Sequence, residues 1–168
     1  MANFEISFDL SQIDFRATSD ILKESYWGSG RSDELHRRAF ANSLCVGAYV
    51  GGNQVGFGRA ITDRTVFAYL ADIIVWPGYR GQGIGTRLVQ ALIDHPDCKT
   101  VTHWSLSTND AHAVYEKLGF RPSTDGRYMR RPRPGSLNRG SAQPTVVAKS
   151  SHWLDQMPFR PSTDLARR

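Results

Sequence analysis

The chain has 168 residues, 40% of them hydrophobic, enough to bury one sizeable core and too few for two full domains. Its formal net charge of +5 is unevenly spread. Residues 1–126 hold 12 Lys/Arg and 14 Asp/Glu, whereas 127–168 hold 9 and 2, so the body lacks a nucleic-acid footprint and any polyanion affinity belongs to the tail.

Phe4, Ile6, Phe8 and Leu10 alternate with polar residues and predict a half-buried first strand. Ser19, followed by Asp20, Ile21, Leu22 and Tyr26, reads as the start and apolar face of a short helix. Ser32, Asp33, Glu34, Leu35, Ala39 and Phe40 repeat that arrangement after the glycine-bearing WGSGR. LCVGAYV (44–50), QVGFGRAI (54–61) and TVFAYLADIIV (65–75) are separated by turn residues and predict three antiparallel strands. The near-continuous apolarity of the last predicts a central strand covered on both faces.

Pro77 ends that strand, and Ile84, Leu88, Ala91 and Leu92 keep helical spacing until His95-Pro96. VTHWSLST (101–108) predicts a fifth strand. Ala111, Val114, Tyr115 and Leu118 predict a short helix closed by Gly119, and 119–123 and 127–131 could supply two final strands. From Pro132 the chain turns rich in Pro, Gly, Ser and Arg, which divides it into a domain over 1–131 and a basic, flexible tail over 132–168. FRPSTD at 120–125 recurs at 159–164, which reads as a duplicated fragment, either without a role or able to compete for the first copy's place or to add to a neighbouring chain's sheet edge in a homodimer.

Cys45 and Cys98 lie far apart without metal-ligand spacing and read as small buried hydrophobes. The start MANFEISFDL lacks the basic flank and apolar run of a signal peptide, and no stretch approaches a membrane span, so a cytoplasmic protein without membrane or metal partners is expected.

The stretch RGQGIG, residues 80–85, leaves the central strand and enters a helix. Its glycines permit positive φ and close approach to bare backbone, and the first amides of the helix can seat an anion. A dinucleotide fingerprint fails, because the sixth place from Gly81 is Thr86 and from Gly83 is Leu88. A triphosphate loop fails for want of a lysine. A pyrophosphate held without metal remains, with Thr86, Arg80 and Arg87 able to assist.

VWPGYRGQGIG resembles the acyl-CoA-binding signature R/Q-x-x-G-x-G/A of the GNAT superfamily of N-acetyltransferases. Ala111, Tyr115, Glu116, Lys117, Leu118, Gly119 and Phe120 resemble its second signature, about 30 residues on. The resemblance covers about residues 1–131 and implies an α/β fold, a mixed, mostly antiparallel central sheet flanked by four helices. It also implies acetyl-CoA as co-substrate. Arg80, Gly81, Gln82, Gly83, Ile84, Gly85 and Thr86 would take its pyrophosphate, and the main chain of Ile74 and Val75 its pantetheine arm. Where the family usually has Asn, this chain has Thr108, with Asn109 one place late, so either could reach the pantetheine.

Acyl transfer to an amine needs a base for the ammonium and a proton for the departing thiolate. Tyr115 is the candidate acid. Asp72, in the apolar run of 65–75, is the candidate base, since burial favours a carboxylate that takes up a proton, with a structural hydrogen-bonded aspartate as the alternative. His112 reads as exposed or capping, with His36 and His103 in reserve. Tyr26 and Trp27 are candidates for an acceptor wall. The sequence therefore predicts an acetyl-CoA-dependent N-acetyltransferase acting on a primary amine of a small molecule or peptide. Acidic residues, including Asp63 and Asp72, tilt that expectation toward a cationic acceptor. An acyl-CoA-binding module without turnover is the alternative, and nucleic acid enters only through the basic tail.

Overall fold

A computed structural model describes residues 3–124 together with 126, 128 and 129. The predicted tail, the second FRPSTD copy and most of the last predicted strand lie outside the described residues. In chain order the elements are β1 (Glu5–Ser7), α1 (Phe15–Glu24), α2 (Asp33–Ala41), β2 (Leu44–Val50), β3 (Asn53–Thr62), β4 (Phe67–Val75), α3 (Ile84–Ile93), β5 (His103–Ser105) and α4 (His112–Glu116). The strands form one sheet in the order β1-β2-β3-β4-β5, antiparallel throughout except for the parallel pair β4–β5.

α1 begins at Phe15, four residues before the predicted Ser19, because the Asp14 side chain accepts from the Ala17 N–H and caps it. Ser19 is instead a buried helical residue bonded to Asp33 and His36. α2 starts at the predicted cap, with Ser32 accepting from Leu35 N–H. The predicted first strand shortens because Leu10 turns into a one-turn 3-10 segment and is exposed. Residues 119–123, expected to be a sixth strand, are a turn residue followed by irregular backbone.

One face of the sheet receives α3, whose Ile84, Leu88, Val89 and Leu92 are fully buried against Val46, Ala48, Val55, Ala60, Ala68 and Leu70. Each such side chain contributes roughly 1.5–3 kcal/mol of burial, which stabilises a ten-residue helix too short to persist alone. The other face carries Leu22 of α1 and Phe40 of α2 against Cys45, Phe57 and Ile74. Both cysteines are buried and unpaired, and burial pushes the Cys45 thiol up to about 12.

β4 departs from the expected strand covered on both faces. Along it every second residue is buried, but the face those residues join changes. Ala68 and Leu70 pack with the α3 face, but Ile73 and Val75 take that face later, while Ile74 joins the opposite cluster. The switch is a β-bulge: Arg59 pairs with Ala71 and Phe57 with Ile74, so Asp72 and Ile73 together oppose Gly58. Gly58 makes room for it, since a Cβ there would lie 2.7 Å from Cδ1 of Ile73. Asp72 sits in the bulge at φ +53°, a left-handed conformation that Asp tolerates better than most residues.

Candidate active site

β4 and β5 pair only over Phe67–Tyr69 and His103–Ser105, then part. Beyond Tyr69, β4 has β3 on one side and, among the described residues, no strand on the other, so main-chain groups on its open edge face a gap. That gap is a cleft of about 230 Å³ walled by Tyr26, Trp27 and Arg31 from the α1–α2 connection, Tyr69–Ile73 of β4, and Ser107–Ala111 with Tyr115 beyond β5.

Tyr115 projects from the five-residue α4, which Gly119 closes at φ +88° with its N–H on Glu116 O and that of Phe120 on Tyr115 O. The Phe120 ring meets the Tyr115 ring edge-on at 5.9 Å and fixes it. Burial, followed by the nearby Tyr26, Asp110 and Tyr69, pushes the Tyr115 phenol up to about 12, so it is a neutral hydrogen-bond donor at physiological pH.

Asp72 also lines the cleft, but its setting differs from the expected apolar one. Its side chain is 1% exposed; Oδ2 accepts from Arg59 Nε at 2.7 Å, and Nη1 of Arg31 donates to Oδ1 at 2.9 Å and Oδ2 at 3.0 Å. Arg59 is also buried and gives Nη1 to Ser43 Oγ at 2.9 Å. A carboxylate ringed by three charge-assisted bonds works as an anchor for the bulge and for the α1–α2 connection. Asp63 is likewise committed, its Oδ1 accepting from the N–H groups of Thr65, Val66 and Phe67 in the turn before β4. Asp72 is compensated by two guanidiniums and Asp63 lies outside the cleft lining, so neither supports the expected tilt toward a cationic acceptor.

Tyr26 accepts a hydrogen bond from Asn109 N–H at 3.1 Å and packs edge-on against Trp27 at 4.8 Å between ring centroids, joining the α1–α2 connection to the segment after β5. Thr108 Oγ1 accepts from Ala111 N–H at 3.1 Å and is thus occupied in starting α4, whereas the Asn109 side chain is exposed at the cleft. Arg31 and Tyr69 complete the walls and escaped the sequence reading. No spacing rule connects them to Tyr115, and only the arginine's position after WGSG hinted at a loop site.

The glycine loop follows β4 at the end where the cleft opens. Gly81 and Gly83 have φ of +75° and +82°, and a Cβ at either would meet nothing within 4 Å. Gly83 caps α3, and its carbonyl accepts the N–H of Arg87, so the amides of Ile84, Gly85 and Thr86 have no intrahelical partner. Arg80 turns back, its Nε donating to Val75 O at 3.0 Å, and Gln82 is exposed. Main-chain donors, open space and the helix dipole coincide here, as an anion seat requires. His103 is exposed beside Thr102, and His112 lies at the start of α4 outside the cleft lining. Among the described residues no cluster of three or more His, Cys, Asp or Glu is arranged to hold a metal, and no helix is long and apolar enough to cross a membrane.

A family model for the GNAT acetyltransferase domain matches residues 41–122. A solved GNAT-family chain from Xanthomonas campestris pv. campestris is 37% identical, covers 81% of this chain and 97% of that one, and superposes with a TM-score of 0.75. The chain belongs to the GNAT acetyltransferase family. Histone acetyltransferase TAP1 of Glycine max is 34% identical over 74 residues, 43% of this chain and 32% of that protein. An uncharacterized N-acetyltransferase, ycf52 of Gracilaria tenuistipitata var. liui, is 32% identical over 77 residues, 43% of this chain and 40% of its own length. The matched stretch thus spans less than half of these curated relatives. The GNAT match holds β4, the glycine loop and α4, whereas Tyr26, Trp27 and Arg31 lie before it.

Proposed function

We propose that the protein transfers an acetyl group from acetyl-CoA directly to a primary amine of a small molecule or peptide. The observation that carries this reading is the cleft that opens where β4 and β5 part, with Tyr115 on its wall and the glycine loop at the same end of β4. Arg80, Gly81, Gln82, Gly83, Ile84, Gly85 and Thr86 would offer amides and space to the CoA pyrophosphate, and the edge of β4 at Ile74 and Val75 would offer main-chain partners to the pantetheine. Asn109 is better placed than Thr108 to add a side-chain contact, because the Thr108 hydroxyl is already accepting.

Acetyl-CoA, when bound, supplies an acyl group activated as a thioester. Tyr115 donates a hydrogen bond to the departing sulfur. With a pKa of about 12, the phenol is a weaker acid than a thiol, so it passes its proton on only as it is replenished from the amine. The bulge at Asp72–Ile73 leaves a main-chain N–H outside the ladder that can polarise a carbonyl oxygen. Asp72 holds that bulge in shape in place of acting as the base. The exposed Asp110, which forms no ion pair among the described residues, is the cleft carboxylate open to solvent and to an ammonium.

Thiol release from acetyl-CoA over an amine library, run beside calorimetric CoA binding, tests the reading. Turnover with at least one amine class supports it. CoA binding without release across the library replaces it with an acyl-CoA-binding module, and absence of CoA binding overturns both.

A further inference from the structure

Two guanidiniums share one carboxylate at the base of the cleft. Arg59 is spent, its Nε on Asp72 and its Nη1 on Ser43, with 8% of the side chain exposed. Arg31 gives Asp72 a single nitrogen, Nη1, and 33% of its side chain is exposed where it lines the cleft. Its Nε and Nη2 have no hydrogen-bond partner among the described residues. The group Arg31–Asp72–Arg59 therefore carries one positive charge more than negative, and the surplus faces the cleft.

That guanidinium is held firmly. Two bonds to Asp72 fix its end, and the Arg31 N–H donates to Gly28 O at 3.1 Å, one residue before the cap of α2. The walls beside it are Tyr26, Trp27 and Tyr69, aromatic side chains that supply no charge. His36 is buried, and burial first and the Arg31 charge next lower its pKa, which favours the neutral ring and leaves the surplus unchanged. Asp110, the other charged lining residue, is exposed on the Tyr115 side and lies beyond ion-pair reach of Arg31. The cleft is thus polarised, with negative charge beside the phenol where an amine would react and an open guanidinium on the α1–α2 connection.

A planar fork with free N–H donors in a partly dry wall is a seat for a carboxylate. Resting on the acetyl-transfer reading, we propose that the acceptor is an amine that also bears a carboxylate, of the amino-acid class, and that Arg31 is the residue that reads that carboxylate. Arg31 lies outside the stretch matched to the family model, where acceptor choice can vary while the CoA seat stays constant.

The test uses amines paired so that only the carboxylate differs: L-lysine with cadaverine, L-phenylalanine with phenethylamine. Thiol release gives kcat/KM, and calorimetry on the CoA-loaded protein gives affinity, each for the wild-type chain, Arg31→Met and Arg31→Lys, with melting curves to verify folding. The carboxylate-bearing member of a pair should lead by about 10- to 100-fold in the wild type. Arg31→Met should cut that lead at least about tenfold, and Arg31→Lys should restore part of it. Equal use and equal binding of both members by the wild type overturns the proposal. So does a lead that Arg31→Met leaves intact, or an equal loss for both members, which would make Arg31 a scaffold residue only. If CoA binds and no amine is turned over, the transfer reading fails by itself, and the calorimetric preference alone decides the role of Arg31.

Discussion

Asp72→Ala separates an anchor from a base. In the folded chain the Asp72 carboxylate is 1% exposed and is the acidic partner of Arg59, itself 8% exposed, and of Arg31. Removing one member of such a group leaves a buried guanidinium uncompensated, a loss of about 3–5 kcal/mol. Alanine at φ +53° adds about 1 kcal/mol of backbone strain. The sum is a large share of a typical domain's stability of roughly 5–15 kcal/mol, so the urea midpoint should fall steeply. Two companions sharpen the measurement. Asp72→Gly, free of the backbone strain, should be more stable than Asp72→Ala by about 1 kcal/mol. Adding Arg59→Met to Asp72→Ala should recover part of the loss, because the orphaned charge goes with it. A stability loss under about 1 kcal/mol combined with abolished thiol release would refute the anchor and return Asp72 to the role of base.

Tyr115→Phe should lower kcat for thiol release by about 100-fold while CoA affinity by calorimetry changes little; an equal drop in both would remove Tyr115 from the acid role. With its phenol at about 12, Tyr115 should contribute no descending limb to the pH–rate profile below about pH 11, and a limb near pH 10 that vanishes in the phenylalanine variant would contradict this. Gly83→Val places a side chain in open space at φ +82°, so the fold should survive a loss of about 1–2 kcal/mol whereas CoA binding is lost. Unchanged CoA affinity would count against the loop assignment. His36 is buried and its pKa lies below the usual 6.5, so below that value the unfolded chain binds more protons and stability falls as the pH drops. His36→Gln should flatten the urea-midpoint profile between about pH 6.5 and 5, and an unaltered slope would assign the acid sensitivity elsewhere.

How much of this was legible in the residue order depends on the range of the forces involved. The glycine loop, the Tyr115 signature, the cap at Ser32 and the hydrophobic spacing of α3 are set by contacts within a few residues, and each reads directly from the chain. The start of α1 did not, because Asp14 and Ser19 are both acceptable caps, and burial of Ser19 against Asp33 and His36 decides between them. Nor did the final strands, since 120–124 carry strand-compatible residues without forming one among the described residues.

What the sequence by itself determined is the glycine loop between the end of β4 and the start of α3, because free main-chain amides open to an anion need only glycines, a strand end and a helix start in succession. What only the tertiary structure decided is the character of Asp72 and of the acceptor wall. Arg31, Arg59 and Asp72 are 13 to 41 residues apart, and their hydrogen bonds exist only once the α1–α2 connection lies over the bulge of β4. Charge compensation depends on distance in space, and it turned an apparently apolar, basic carboxylate into a neutralised anchor beside an open guanidinium.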